Sequence, residues 1–127
     1  MSPTLANAIS NFNRNGFKTI RAHDGQNTNG TLSTIITFDF TPKTIILVAG
    51  LYIRFSTRYA DHGNAIIVKA DIKGGTITLN IDYLDFASLD KYRSDILDTL
   101  LDVSSNNYNS VVDMTLALDA VYDVNKG

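Results

Sequence analysis

The chain has neither cysteine nor glutamate. Without cysteine, a disulfide framework, a thiolate metal site and a thiol nucleophile are excluded, and the redox compartment is not encoded in either direction. Without glutamate, any carboxylate chemistry must be aspartate chemistry. The plain source of this bias is a composition rich in Asn, Thr, Asp and Ile, which suits turns, strands and surface-exposed structural proteins. Long hydrophobic runs are missing as well: the stretch Ile45 to Gly50 is far too short to span a bilayer, and no charged segment followed by an apolar one opens the chain. The expectation is a soluble chain, cytoplasmic or virion-associated, with no membrane partner.

What is present fits one folded unit. A chain of 127 residues, 44% hydrophobic and 19% charged, is of ordinary domain size and can bury roughly 65% of the surface its unfolded form exposes. A single α+β domain over residues 1–127 is therefore expected. Charge is uneven: up to residue 60 six basic side chains face two aspartates, and beyond it five face eleven. The net charge of −2 offers no footprint for duplex nucleic acid, whereas the asymmetry favours self-association.

Ser2-Pro3 opens a helix, Leu5, Ile9 and Phe12 recur at helical spacing, and Gly16 supplies its left-handed C-terminal position, so residues 3–15 read as an amphipathic helix. Phe17 to Ala22 reads as a short strand with Phe17, Thr19 and Arg21 on one side, and His23 to Gly30 as a loop of almost pure turn chemistry. Strands are expected over Thr31 to Phe40, Lys43 to Thr57 with a bend at Ala49-Gly50, Asn64 to Ile72, and Thr76 to Tyr83, with Gly74-Gly75 as a hairpin turn. After Phe86 the period changes, and Ser88 is placed to cap a helix whose buried stripe is Leu89, Tyr92, Ile96, Leu97, Leu100 and Val103. Residues 110–124 alternate like a strand but also mark a helical face, and their Met, Leu and Ala content favours helix. The fold class is thus α+β, an antiparallel meander of four to six strands with one N-terminal and two C-terminal helices.

The only two histidines occupy similar settings, Arg21-Ala22-His23-Asp24-Gly25 and Arg58-Tyr59-Ala60-Asp61-His62-Gly63. Brought to one sheet end, His23, His62, Asp24 and Asp61 would offer imidazoles near their working pKa with carboxylates to orient them. Arg21 and Arg58 would stand ready for a phosphate, as phosphodiester cleavage requires. The plainer reading weighs more: Asp before Gly is a turn pair, and the two histidines are expected apart and exposed. Arg54, Arg58 and Lys69, interleaved with Tyr52, Phe55 and Tyr59, form a second pattern, a basic-aromatic sheet face that would bind single-stranded RNA. Here too the plainer reading, apolar groups in the core and basic groups in water, weighs more. Asp90, Asp95, Asp98 and Asp102 fall at the spacing of a solvated helix face and not of a calcium loop. No metal or other cofactor is expected.

The run Thr37-Phe38-Asp39-Phe40-Thr41-Pro42-Lys43-Thr44-Ile45-Ile46 resembles a strand-turn-strand phrase of phage tail and fibre proteins. The resemblance implies a viral structural or accessory protein. The leading functional reading is a non-enzymatic assembly or protein-binding module that self-associates through a sheet edge or its C-terminal helices, its partner a second copy or another protein. The alternatives are a His/Asp-dependent nuclease or phosphodiesterase and a single-stranded RNA-binding module.

Overall fold

The computed structural model describes residues 2–107. Its elements, in chain order, are α1 (Pro3–Arg14), β1 (Thr19–Gln26), β2 (Leu32–Asp39), α2 (Pro42–Arg58), a 3-10 turn (Ala60–His62), β3 (Ile66–Lys73), β4 (Thr76–Tyr83) and α3 (Phe86–Asp102), followed by a π-helical turn (Val103–Asn107). The fold is α+β: three helices cover one side of a four-stranded antiparallel sheet of order β1-β2-β4-β3. The second C-terminal helix expected over 110–124 lies outside the described residues.

Helix α1 starts and stops as its sequence dictates. The Ser2 hydroxyl accepts the Leu5 N–H at 3.2 Å, with Pro3 in the first turn. At the other end Gly16, at φ +88°, lets the Phe17 N–H reach the Phe12 carbonyl (2.9 Å) and the Gly16 N–H reach Asn13 (3.2 Å). These are the two bonds of a Schellman motif, and its usual apolar contact is the edge-on pair Phe12–Phe17, with ring centroids 6.0 Å apart. Phe12 also meets Phe38 edge-on at 5.5 Å, which ties α1 to the sheet.

Strand β1 runs four residues further than its sequence suggests. His23 to Gln26, rich in turn formers, pair with Leu32 to Ile35 of β2. Ladder hydrogen bonds outweigh local turn preference, and Gly25 at φ +110° absorbs the strain. A bulge at Ile20 separates Thr19, opposite Phe38, from Arg21, opposite Thr37, so Thr19 and Arg21 do not share a side as simple alternation predicts.

The largest correction is α2. Lys43 to Thr57 is a helix, not a bent strand. Thr41 caps it by accepting the Thr44 N–H (3.1 Å) while the Thr44 hydroxyl accepts the Thr41 N–H (2.9 Å), a reciprocal capping box with Pro42 in the first turn. Thr44, Leu47, Val48, Leu51 and Phe55 form its buried stripe. The segment resembling a phage strand-turn-strand phrase is therefore a strand-to-helix junction. Helix α2 separates β2 from β3, and β4 rather than β3 settles beside β2. A meander thus holds only within the hairpins β1–β2 and β3–β4.

Lys73-Gly74-Gly75-Thr76 is the expected tight hairpin, with Gly74 at φ +61°. Helix α3 is capped three residues earlier than predicted: Asp85, not Ser88, accepts the Ser88 N–H at 2.8 Å and the Ser88 hydroxyl at 2.9 Å. Leu89, Tyr92, Ile96, Leu97 and Leu100 are buried as expected. They join Ile36 and Phe38 of β2 and Ile77, Leu79, Ile81 and Tyr83 of β4 in one continuous core between sheet and helices.

Candidate functional site

Among the described residues, strand β3 is a rim of the sheet, hydrogen-bonded to β4 alone. The Leu84 N–H donates to the Ala65 carbonyl at 3.0 Å, which fixes the parity of the ladder. Ile67, Lys69, Asp71 and Lys73 turn their backbone groups toward β4, so Ile66, Val68, Ala70 and Ile72 direct theirs off the free edge. Side chains alternate in step: Ile66 is buried and Val68 half-buried on the helix side, while Ala70 and Ile72 are exposed there, Ile72 at 56%. Beside this edge an apolar groove of about 480 Å³ runs between β3 and α2, lined by Ile45, Ala49, Tyr52, Ile53, Ala70 and Ile72.

The two rims of the sheet differ. At β1 the Ile20 bulge and the positive φ of Gly25 distort the edge, a usual protection against edge-to-edge pairing. Strand β3 pairs over eight positions without a shift and contains no proline.

The far side of the sheet, away from the helices, carries rows of polar residues. One row is Arg21, Thr37, Thr78 and Asp71; the next is His23, Ile35, Asn80 and Lys69; the third is Gly25, Ser33, Asp82 and Ile67. Thr37 and Thr78 share a hydroxyl hydrogen bond at 3.0 Å, Asn80 donates to Asp82 at 3.1 Å, and Lys69 pairs with Asp82 at 2.8 Å. His23 Nε2, Ser33 Oγ and Asn80 Oδ1 are buried without a hydrogen-bond partner among the described residues.

The residues singled out from the sequence do not converge. His23 stands half-buried on the far side of the sheet. His62 is exposed on the 3-10 turn on the helix side, edge-on to Tyr59 and Tyr92 at 6.1 and 5.5 Å. The imidazoles are apart, as the plainer sequence reading has it, but only His62 is exposed. Neither neighbouring aspartate orients an imidazole by a hydrogen bond. Asp61 is exposed, whereas Asp24 turns to the helix side and its side chain is buried, at 1% exposure. Its Oδ1 accepts the Thr34 hydroxyl at 2.8 Å, and Arg93 Nε lies 2.9 Å from its Oδ2 as an ion pair, off the line of a hydrogen bond. Since Thr34 gives its single proton to the carboxylate, Tyr83 must donate to Thr34 across their 2.9 Å contact. Burial pushes the Tyr83 phenol up to about 12 and the Asp24 charge adds to this, while the Thr34 hydrogen bond and Arg93 act in the opposite sense.

Arg54 and Arg58 lie on α2, with Tyr52, Phe55 and Tyr59 on or at the end of the same helix, so no basic-aromatic sheet face is built. Arg58 binds Asp95 at 3.2 Å and Thr99 at 2.7 Å on α3. Tyr59 donates to the same Asp95, and burial, then that bond, lifts its phenol to about 12. Arg21 lies on the polar far side. Arg93, Thr34 and Tyr83 went unmarked in the sequence, and Asp95 read only as part of a solvated helix face, because no local motif joins residues that only packing brings together. Among the described residues no group of three His or Asp side chains is placed to hold a metal ion, and no helix is long and apolar enough to cross a membrane. Comparison with known protein families, curated proteins and solved structures gives no significant match to this chain.

Proposed function

We propose that the protein is a non-enzymatic assembly module that associates with a second copy of itself by adding strand to strand at β3. The observation that carries the reading is a regular, proline-free eight-residue edge, unpaired among the described residues, with an exposed apolar flank and a groove beside it. Outward N–H and C=O groups on Ile66, Val68, Ala70 and Ile72 supply the hydrogen bonds of the added strand, and covering Ile72, Ala70 and Tyr52 supplies the apolar term. The opposed placement of His23 and His62 on the two sides of the sheet supports this reading over hydrolysis, and the engagement of Arg58 by α3 supports it over RNA binding.

The test is solution mass by light scattering across the micromolar range, for the wild type and for Ala70→Pro. Proline removes an N–H that points off the free edge and leaves the β4 ladder whole. A wild type that dimerises and a folded Ala70→Pro that stays monomeric would support the proposal. A wild type that remains monomeric would refute it, and so would a proline variant that still dimerises.

A further inference from the structure

Resting on that reading, we infer that the second copy binds in one register only. The strands run antiparallel with Ala70 opposite the partner's Ala70 on a two-fold axis perpendicular to the sheet, and Lys69 faces the partner's Asp71 on both sides of that axis. Three constraints lead there. Antiparallel partners must be matched in parity, so the outward-directed residues Ile66, Val68, Ala70 and Ile72 can face only one another. This eliminates every register that slips by one residue, which would also turn the apolar side chains to the polar face.

Charge then selects among the remaining registers. With Ala70 on the axis, Lys69 meets the partner's Asp71 and Asp71 meets the partner's Lys69, two opposite-charge pairs at the close, non-hydrogen-bonded spacing. A shift of two residues one way places Lys69 against Lys69. The same shift the other way places Asp71 against Asp71 and Lys69 against Lys73. Like charges directly opposite are destabilising, and larger shifts lose strand overlap. Asp71 is free to take part, because it has no cationic partner among the described residues. Lys69 already pairs with Asp82 at 2.8 Å, and its ammonium carries three donors, enough for a second carboxylate.

The apolar side agrees. The same register sets Val68 against the partner's Ile72 twice and the small Ala70 side chains against each other, where the α2 flanks of the two copies come together over the joint. Both copies keep their helices on one side, and the product is a continuous sheet of eight strands, an isologous closed dimer.

Charge reversal tests the register. Lys69→Asp alone and Asp71→Lys alone each convert both cross-pairs into like-charge pairs, and each should raise the dimer dissociation constant roughly ten- to hundredfold. Mixed in equal amounts, the two variants restore opposite charges at both positions and should form a heterodimer about as tight as the wild type. A cross-link makes the test independent of how well Lys69→Asp folds. Opposed residues of a hydrogen-bonded pair have Cα atoms about 5.5 Å apart, within disulfide reach. Ala70→Cys in this cysteine-free chain should therefore oxidise to a covalent dimer. Ile72→Cys should not, because its two copies would lie about 13 Å apart along the strands. Cross-linking through Ile72 but not Ala70, or charge variants that dimerise alone as well as the wild type, would overturn the register; if Ala70→Pro still abolished association, the edge proposal would survive. Absence of wild-type association would remove both.

Discussion

Alkaline pH should weaken this fold through Tyr83. Its side chain is buried, with 3% of the residue exposed, and its hydroxyl donates to Thr34, which donates in turn to the buried Asp24 carboxylate. Burial disfavours the phenolate and the nearby Asp24 carboxylate adds to this, outweighing the opposing effects of the Thr34 hydrogen bond and Arg93, and the pKa accordingly rises from 10.0 to about 12. The folded state thus holds a proton that the unfolded state has lost. The contribution is fully present below pH 10 and disappears as pH climbs from 10 toward about 12. Two units at about 1.4 kcal/mol each amount to about 3 kcal/mol, a large share of a typical stability of about 5–15 kcal/mol. Tyr59 titrates in the same direction and the two phenols interact, so the loss is shared and its steps belong to the pair. The assay is urea unfolding at about pH 9 and about pH 11.5, beside an ultraviolet titration of phenolate. Tyr83→Phe should cost about 1 kcal/mol at neutral pH for the lost hydrogen bond and should lose clearly less than the wild type between the two pH values. An equal alkaline loss in both proteins would refute the assignment.

Arg93→Ala should destabilise by about 2–3 kcal/mol, since it strands the Asp24 carboxylate in the core, with the cost tempered by the partial exposure of the guanidinium. Asp24→Asn should cost less, about 1 kcal/mol, because Arg93 can turn to water and the amide oxygen still accepts from Thr34; a reversed order in urea unfolding would contradict the network. The Asp85 carboxyl is held below 3.8 by the Ser88 N–H and then the Ser88 hydroxyl. Its stabilising contribution is therefore present above that value and is lost as pH falls through the lower folded one. Asp85→Asn, itself a competent cap, should leave neutral stability nearly unchanged and flatten the acid limb of a plot of Tm against pH; an unaltered limb would show that the cap carboxylate does not drive it.

Elements with their own punctuation were legible from the sequence alone. Ser2-Pro3 and Gly16 bounded α1, alternation and Gly74-Gly75 marked β3 and β4, and the apolar stripe from Leu89 to Leu100 announced α3. Local signals sufficed because caps and turns are made by neighbours. Helix α2 was missed where local signals conflict: Thr44-Ile45-Ile46 is β-branched, Thr41-Pro42 reads equally as a turn, and Thr stands where a capping box usually shows Glu or Gln. The core settled it, because only a helix buries Thr44, Leu47, Val48, Leu51 and Phe55 together. That outcome decided the candidate site as well. With α2 crossing the sheet, β4 takes the place beside β2 and β3 is left on the rim. Lys69 and Asp71 stand two residues apart in the chain and carry no message as a motif. They acquire one only because strand order leaves their edge unpaired among the described residues, and strand order is set by which surfaces the helices must cover.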